Sequence, residues 1–185
     1  MLMSNTKTVI RFFTIADYEE EEAWLRSRHN SGWKLVKTAI PCFYVFESCE
    51  PEDVVYRLDY KNNTEDGEYL RMFKDYGWEC FNSCMGWLYF RKPISETDGE
   101  QDAEIFSDDV SRVDMINHIF KTRMIPLLIF LWCCVIPNYF RSLKTDDPLA
   151  SVCSIVLTVL LIVYLYLIVY CGIKLGRLKK KYSGK

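Results

Sequence analysis

The stretch Trp24–Trp33, WLRSRHNSGW, returns about 45 residues later as Tyr69–Trp78, YLRMFKDYGW. Trp24-Leu25-Arg26 aligns with Tyr69-Leu70-Arg71, and Gly32-Trp33 with Gly77-Trp78. Working outward, Phe43-Tyr44-Val45-Phe46-Glu47 resembles Trp87-Leu88-Tyr89-Phe90-Arg91, and Val9-Ile10-Arg11-Phe12 resembles Val55-Tyr56-Arg57-Leu58 one residue out of phase. Four blocks in one order make the N-terminal part a tandem repeat.

Each unit reads strand, helix, strand, strand. Val9–Ile15 and Val54–Tyr60 are rich in β-branched and aromatic residues, as strands are. Asp17 with Glu20 three residues on has the spacing of a capping box, and Glu19–Glu22 place acids on a first helical turn. Ala23, Trp24 and Leu25 begin the apolar face, and Gly32 ends the helix. The second helix runs from about Thr64 to Tyr76 and stops at Gly77. Trp33–Ile40, Cys42–Cys49, Trp78–Cys84 and Gly86–Lys92 complete the strands, with a turn near Met85-Gly86. Two β-α-β-β units with short connections imply an α+β fold. An antiparallel sheet carries both helices on one face, in a cytosolic domain over residues 1–93.

Ile94–Asp109 follows, with seven acids and no base, and reads as a solvated linker over 94–109. Phe106, Val110, Val113, Ile116 and Phe120 then recur every three or four residues, with Ser107 available as a cap. That spacing marks a juxtamembrane amphipathic helix over 107–123. Two apolar stretches close the chain, Met124–Phe140 and Leu149–Ile173. About 20 apolar residues cross a bilayer core, with a lower bound of about 17, so both qualify as transmembrane helices. Pro126 and Pro137 sit near the ends of the first, where a membrane helix tolerates them.

Lys121 and Arg123 precede the hairpin, and Lys174, Arg177, Lys179, Lys180, Lys181 and Lys185 follow it as a basic tail over 174–185. Short flanks rich in Lys and Arg stay cytoplasmic. A multi-pass protein of the cell membrane is expected, with both termini cytoplasmic and Arg141–Pro148 outside. Met1–Lys7 is polar and the apolar run Val9–Phe13 is short, which does not match a cleavable signal peptide.

The composition narrows the chemistry. With only His29 and His118 as histidines, a His-based triad has little to draw on. His29 reads as a solvated residue near a helix end. Cys80 and Cys84 lack the second pair that a zinc site needs, so neither metal nor cofactor is expected. No phosphate-binding glycine loop or nucleophile elbow is present, and the expectation is a non-enzyme. The soluble part is acidic, which disfavours direct nucleic-acid binding. Neither span holds an ionisable residue other than tyrosine or cysteine, so an ion path through this chain alone is not expected.

Phe13 with Asp17-Tyr18-Glu19, Gly32-Trp33, Tyr44-Val45-Phe46-Glu47, Tyr56-Arg57-Leu58, Tyr89-Phe90-Arg91-Lys92 and Phe106-Ser107-Asp108 resemble the bacterial domain-of-unknown-function family numbered 2812. The resemblance covers roughly Lys7–Lys121. It implies membrane spans after the domain and, because the genes of members often neighbour PadR-like transcription regulators, such a regulator as partner. It carries no catalytic residues. The tandem plan is also similar in architecture to the GyrI-like effector-binding fold.

The expected role is a membrane-tethered sensory or regulatory module whose domain binds a small ligand or a regulator. The alternative is an accessory subunit of a membrane complex such as an exporter. The candidate ligand site joins Arg11 and Arg57, at matching positions of the two units, with Tyr44, Trp87 and Tyr89 around an anionic or planar ligand. The competing reading is structural, with Arg57 bonding Asp59 or a cross-strand acid such as Glu47.

Overall fold

The structure is a computed structural model that describes residues 5–39, 42–61, 67–97, 99, 102–106, 109–142 and 148–183. It divides into two compact units, 1–111 and 112–185.

The first unit contains β1 (Thr6–Ile10), α1 (Tyr18–Asn30), β2 (Trp33–Ala39), β3 (Phe43–Ser48), β4 (Val54–Tyr60), α2 (Gly67–Asp75), β5 (Glu79–Cys84) and β6 (Trp87–Pro93). The order is the expected tandem β-α-β-β. The strands form two antiparallel three-stranded sheets, β1-β3-β2 and β4-β6-β5, where one sheet had been expected.

The reason lies at the two strands that meet. The edges β2 and β5 each carry a register shift, between Leu35 and Lys37 and between Cys80 and Asn82. A bulge bends its strand and raises the local twist, which turns a backbone edge away from its neighbour. Side chains make the junction instead. Asn82 Nδ2 donates to Thr38 Oγ1 at 2.6 Å, and Arg91 Nη1 donates to the Leu35 carbonyl at 3.2 Å.

The two ladders repeat each other closely. Lys34 lies opposite Glu47 in β2–β3, and Glu79 lies opposite Arg91 in β5–β6. Each helix ends ahead of a glycine with φ of +81°, Gly32 or Gly77, a conformation that costs a side-chain-bearing residue free energy. The β5–β6 hairpin turns through Met85 and Gly86, both at positive φ, as a two-residue turn of the I′ type requires.

The first strand differs from its expected bounds. β1 stops at Ile10, so Phe12 and Phe13 lie beyond it. A turn forms before α1, where the Asp17 carboxylate accepts from the Thr14 amide at 2.8 Å and the Thr14 hydroxyl at 2.6 Å. Asp17 therefore faces backwards and gives α1 no side-chain cap, which replaces the expected capping box.

Helix α1 packs on β2 of its own sheet and on β4 of the other. Its buried positions Tyr18, Glu21, Trp24, Leu25 and His29 recur at helical spacing. Helix α2 packs on β5, and Phe73 joins Val55, Trp78, Leu88 and Phe90 in an apolar cluster.

The acidic segment expected to be a free linker is docked where it is described. Ile94–Glu96 forms a short 3-10 turn. Ile105 is buried in the Phe73–Phe90 cluster, with Ala103 and Phe106 packed against it. The Lys92 ammonium, 4% exposed in its side chain, bonds Asp102 at 2.6 Å and the Tyr76 carbonyl at 2.9 Å. A run of acids favours a solvated segment, yet here two of them meet buried or half-buried cations of β4 and β6. The domain extends past residue 93. Ser107 and the residues flanking Gly99 lie outside the described residues.

One helix begins in the last residues of the first unit as α3 (Asp109–Ile119) and continues in the second through π-turns at Phe120–Met124 and Leu131–Val135 into α4 (Ile125–Phe130) and α5 (Ile136–Ser142). The other is α6 (Pro148–Ser183). Both are long and apolar enough to cross a membrane, over Asp109–Arg141 and Thr158–Ser183. The expected juxtamembrane helix and first span are thus one helix, and the basic tail is helical to Ser183. The two run antiparallel. Arg112 Nη1 donates to the Tyr182 hydroxyl at 2.8 Å, and the Tyr164 hydroxyl donates to the Leu127 carbonyl at 2.6 Å. Positions 143–147 of the connecting loop lie outside the described residues.

Candidate functional site

Helix α1 presents one carboxylate to the space between the sheets. Glu21 is 6% exposed and sits on the buried stripe between Tyr18 and Trp24. Tyr44 of β3 and Tyr89 of β6 each donate a hydroxyl to Glu21 Oε1 at 2.9 Å, so the two repeats meet on one oxygen. Burial raises the Glu21 pKa, and the two hydroxyl bonds only partly offset it. The same burial, with the nearby carboxylate, raises both tyrosines. Around them Trp24 packs edge-on to Tyr44 and Phe46, at 5.0 and 5.6 Å between ring centres. Trp87 lies 5.2 Å from Tyr60 and 5.9 Å from Tyr18.

Of the five expected site residues, Tyr44 and Tyr89 are brought together and Trp87 packs among neighbouring aromatics. The arginines do not join them. Arg11 lies beyond β1, with its guanidinium 4.9 Å from the rings of both Phe13 and Trp24. Arg57 pairs with Glu104 at 2.8 Å and Glu22 at 3.5 Å, and donates to the Tyr56 carbonyl at 2.9 Å. Its partners are therefore neither Asp59 nor Glu47.

The equivalence of Arg11 and Arg57 also fails. Arg57 lies opposite Phe90, and the matching Phe46 lies opposite Lys7. The structural counterpart of Arg57 is Lys7, four residues before Arg11. The short Val-Ile-Arg block had aligned by composition, whereas the ladder register is set by the longer strand pair.

A second constellation forms where α1 ends. His29, expected to be solvated, is 5% exposed, and its Nδ1 lies 2.8 Å from the Tyr56 hydroxyl. Burial, with Arg91 and Lys34 nearby, pushes its pKa down to about 4. Arg91 holds Glu79 in two bonds of 2.6 and 2.9 Å and lies 4.6 Å from the Phe81 ring. Burial pushes Tyr56 up to about 12. His29, Glu79 and Arg91, with Lys34, Glu50, Glu52 and Glu96, line a surface cleft of about 420 Å³ built from both repeats.

Two of these residues were hidden in the sequence. Glu21 stood inside an acidic run that reads as a first helical turn, and only its i, i+3, i+4 spacing with Tyr18, Trp24 and Leu25 marks it as inward. His29 follows Leu25 by four residues on the same stripe, a signal masked by its closeness to the helix end.

Among known proteins, a family model described as "Protein of unknown function (DUF2812)" matches residues 17–129, more than half of the chain. No curated protein and no solved structure matches it.

Proposed function

We propose, for a chain that belongs to the DUF2812 family, the role of a membrane-tethered sensory or regulatory module. Its N-terminal domain binds a small ligand or a regulator protein, and the segment 102–106 passes the change toward the apolar helices. The carrying observation is Arg57. One half-buried guanidinium ties Glu22 of α1 to Glu104. Glu22 adjoins Glu21, and its own carboxylate also accepts from the Leu58 amide at 2.8 Å. A shift of α1 by a ligand or partner is felt at once by the segment that leads into α3.

The basic flanks place both termini in the cytosol in this reading, with the hairpin crossing the cell membrane twice. The PadR-like regulator implied by the family resemblance is the partner to look for. Affinity capture from detergent with mass spectrometry compares the wild type with Arg57→Met. A co-purifying transcription regulator whose yield changes in the variant supports the reading. Capture that is the same in both, with no regulator in either, defeats it. The second reading, a subunit of a membrane complex, rests on the exposed apolar side chains of the helices, such as Trp132 and Tyr166. Co-purification of transport proteins favours it.

A further inference from the structure

One end of the apolar hairpin is built differently from its middle. α6 is 36 residues long, and the helix from Asp109 to Arg141 is 33. About 20 apolar residues cross a bilayer core, so each helix runs well beyond one. In the middle, large apolar side chains such as Ile129, Trp132, Val159 and Ile162 are exposed. Toward the Arg112–Tyr182 bond the pattern changes. Ile116, Ile119 and Met124 are buried on one helix, and Cys171, Leu175 and Leu178 on the other. Water drives apolar packing and lipid does not, so the change marks where the helices leave the hydrocarbon.

One face of α6 crosses that level as a single stripe. Tyr166, Tyr170, Lys174, Arg177 and Lys181 recur every three or four residues and so share a side of the helix. Tyr166 and Tyr170 stack with ring centres 6.0 Å apart, and the Lys174 ammonium lies 6.0 Å from the Tyr170 ring. Tyrosine favours headgroup depth, and a lysine stem reaches from there toward the phosphates. On the other helix Lys121 and Arg123 stand at the same depth. Two contacts bracket them: a Cβ at Gly172 would stand 3.9 Å from Met124 Cε, and Arg112 bonds Tyr182 further out. Among the described residues no ion pair engages Lys121 or Arg177, and both are exposed. Asp114 is the single acid within 112–124 and 171–183.

We infer that this end of the hairpin is a binding site for anionic phospholipid. The headgroup phosphate meets the Tyr170–Lys174–Arg177 stripe of α6, with Lys121 and Arg123 at the same depth. The inference rests on the reading above, in which the hairpin crosses a membrane with this end in the cytosol. Each base near an anionic surface adds attraction, and a neutral headgroup gains none of it. Lys179 and Lys180 lie further along the same helix and add to the field.

The test uses the full chain in an uncharged detergent. Native mass spectrometry counts retained lipid when phosphatidylglycerol or phosphatidylcholine of equal chain length is added. Phosphatidylglycerol is expected to be held more tightly, by on the order of tenfold. Lys174→Gln with Arg177→Gln is expected to remove most of that preference, and Lys174→Arg with Arg177→Lys to keep it. Arg141→Gln, at the far end of the hairpin, is expected to leave it intact. Equal retention of the two lipids overturns the site, as does a preference that survives the double glutamine variant or is lost equally in Arg141→Gln. Displacement of the lipid by glycerol phosphate also overturns it, because the site would then be one for free phosphate. Retention in detergent does not depend on orientation, which thiol labelling at residues 142 and 183 in cells reads separately. Either result therefore stands when the other fails.

Discussion

At the scale of single residues, the effects follow from burial and backbone conformation. A Cβ at Gly32 would stand 3.1 Å from the Cys49 carbonyl oxygen, and one at Gly77 would stand 3.2 Å from the Lys92 Cε. Both positions also have positive φ, so Gly32→Val and Gly77→Val are each expected to cost about 1 kcal/mol or more in urea unfolding. Gly32→Val should be the worse, because backbone yields less than a lysine stem. His29 gives a pH signature. Its folded pKa, about 4, lies below its ordinary 6.5, so the fold favours the neutral ring. That contribution is complete above pH 6.5 and is lost as pH falls toward 4. The thermal midpoint should fall more steeply over this range in the wild type than in His29→Gln.

At the scale of elements, the segment 102–106 decides where the domain ends. A fragment of residues 1–93 lacks Ile105 and the acids that meet Lys92 and Arg57. Burying an isoleucine is worth about 1.5–3 kcal/mol, so the 1–111 fragment should unfold at clearly higher urea than 1–93. Equal midpoints would show that the segment adds nothing. The sequence made the strands and helices legible because their apolar periods and glycine stops are local. Val54–Tyr60 is legible to the residue for that reason. It hid the split into two sheets, since bulges at Val36 and Phe81 carry no composition signal. It also hid the docking of an acidic segment, because the partners of Asp102 and Glu104 lie 10 and 47 residues away. The site suffered likewise: aromatic residues were found, but which charge they surround depended on helix phase.

At the scale of the whole molecule, the proposed topology places residues 142 and 183 on opposite sides of the membrane. Ser142→Cys should react with an impermeant thiol reagent in intact cells, in a background without other reactive thiols. Ser183→Cys should react only after permeabilisation. The reverse pattern would invert the chain. The two ladders of the domain also raise a question of traffic during folding. Repeats this alike in register invite β2 to pair with β6, or β5 with β3. The charges oppose the exchange: β2 on β6 would set Lys34 against Arg91, and β5 on β3 would set Glu79 against Glu47. Like charges directly opposite are destabilising, while the native partners attract. The inverted pair is thus a sorting code that lets a duplicated chain tell its own halves apart. Rewriting the second half as Glu79→Lys with Arg91→Glu keeps the attraction across β5–β6 but erases the code, and it also removes the Arg91 bond to the Leu35 carbonyl. Refolding of that variant should then show a slow, misassembled fraction that the wild type lacks.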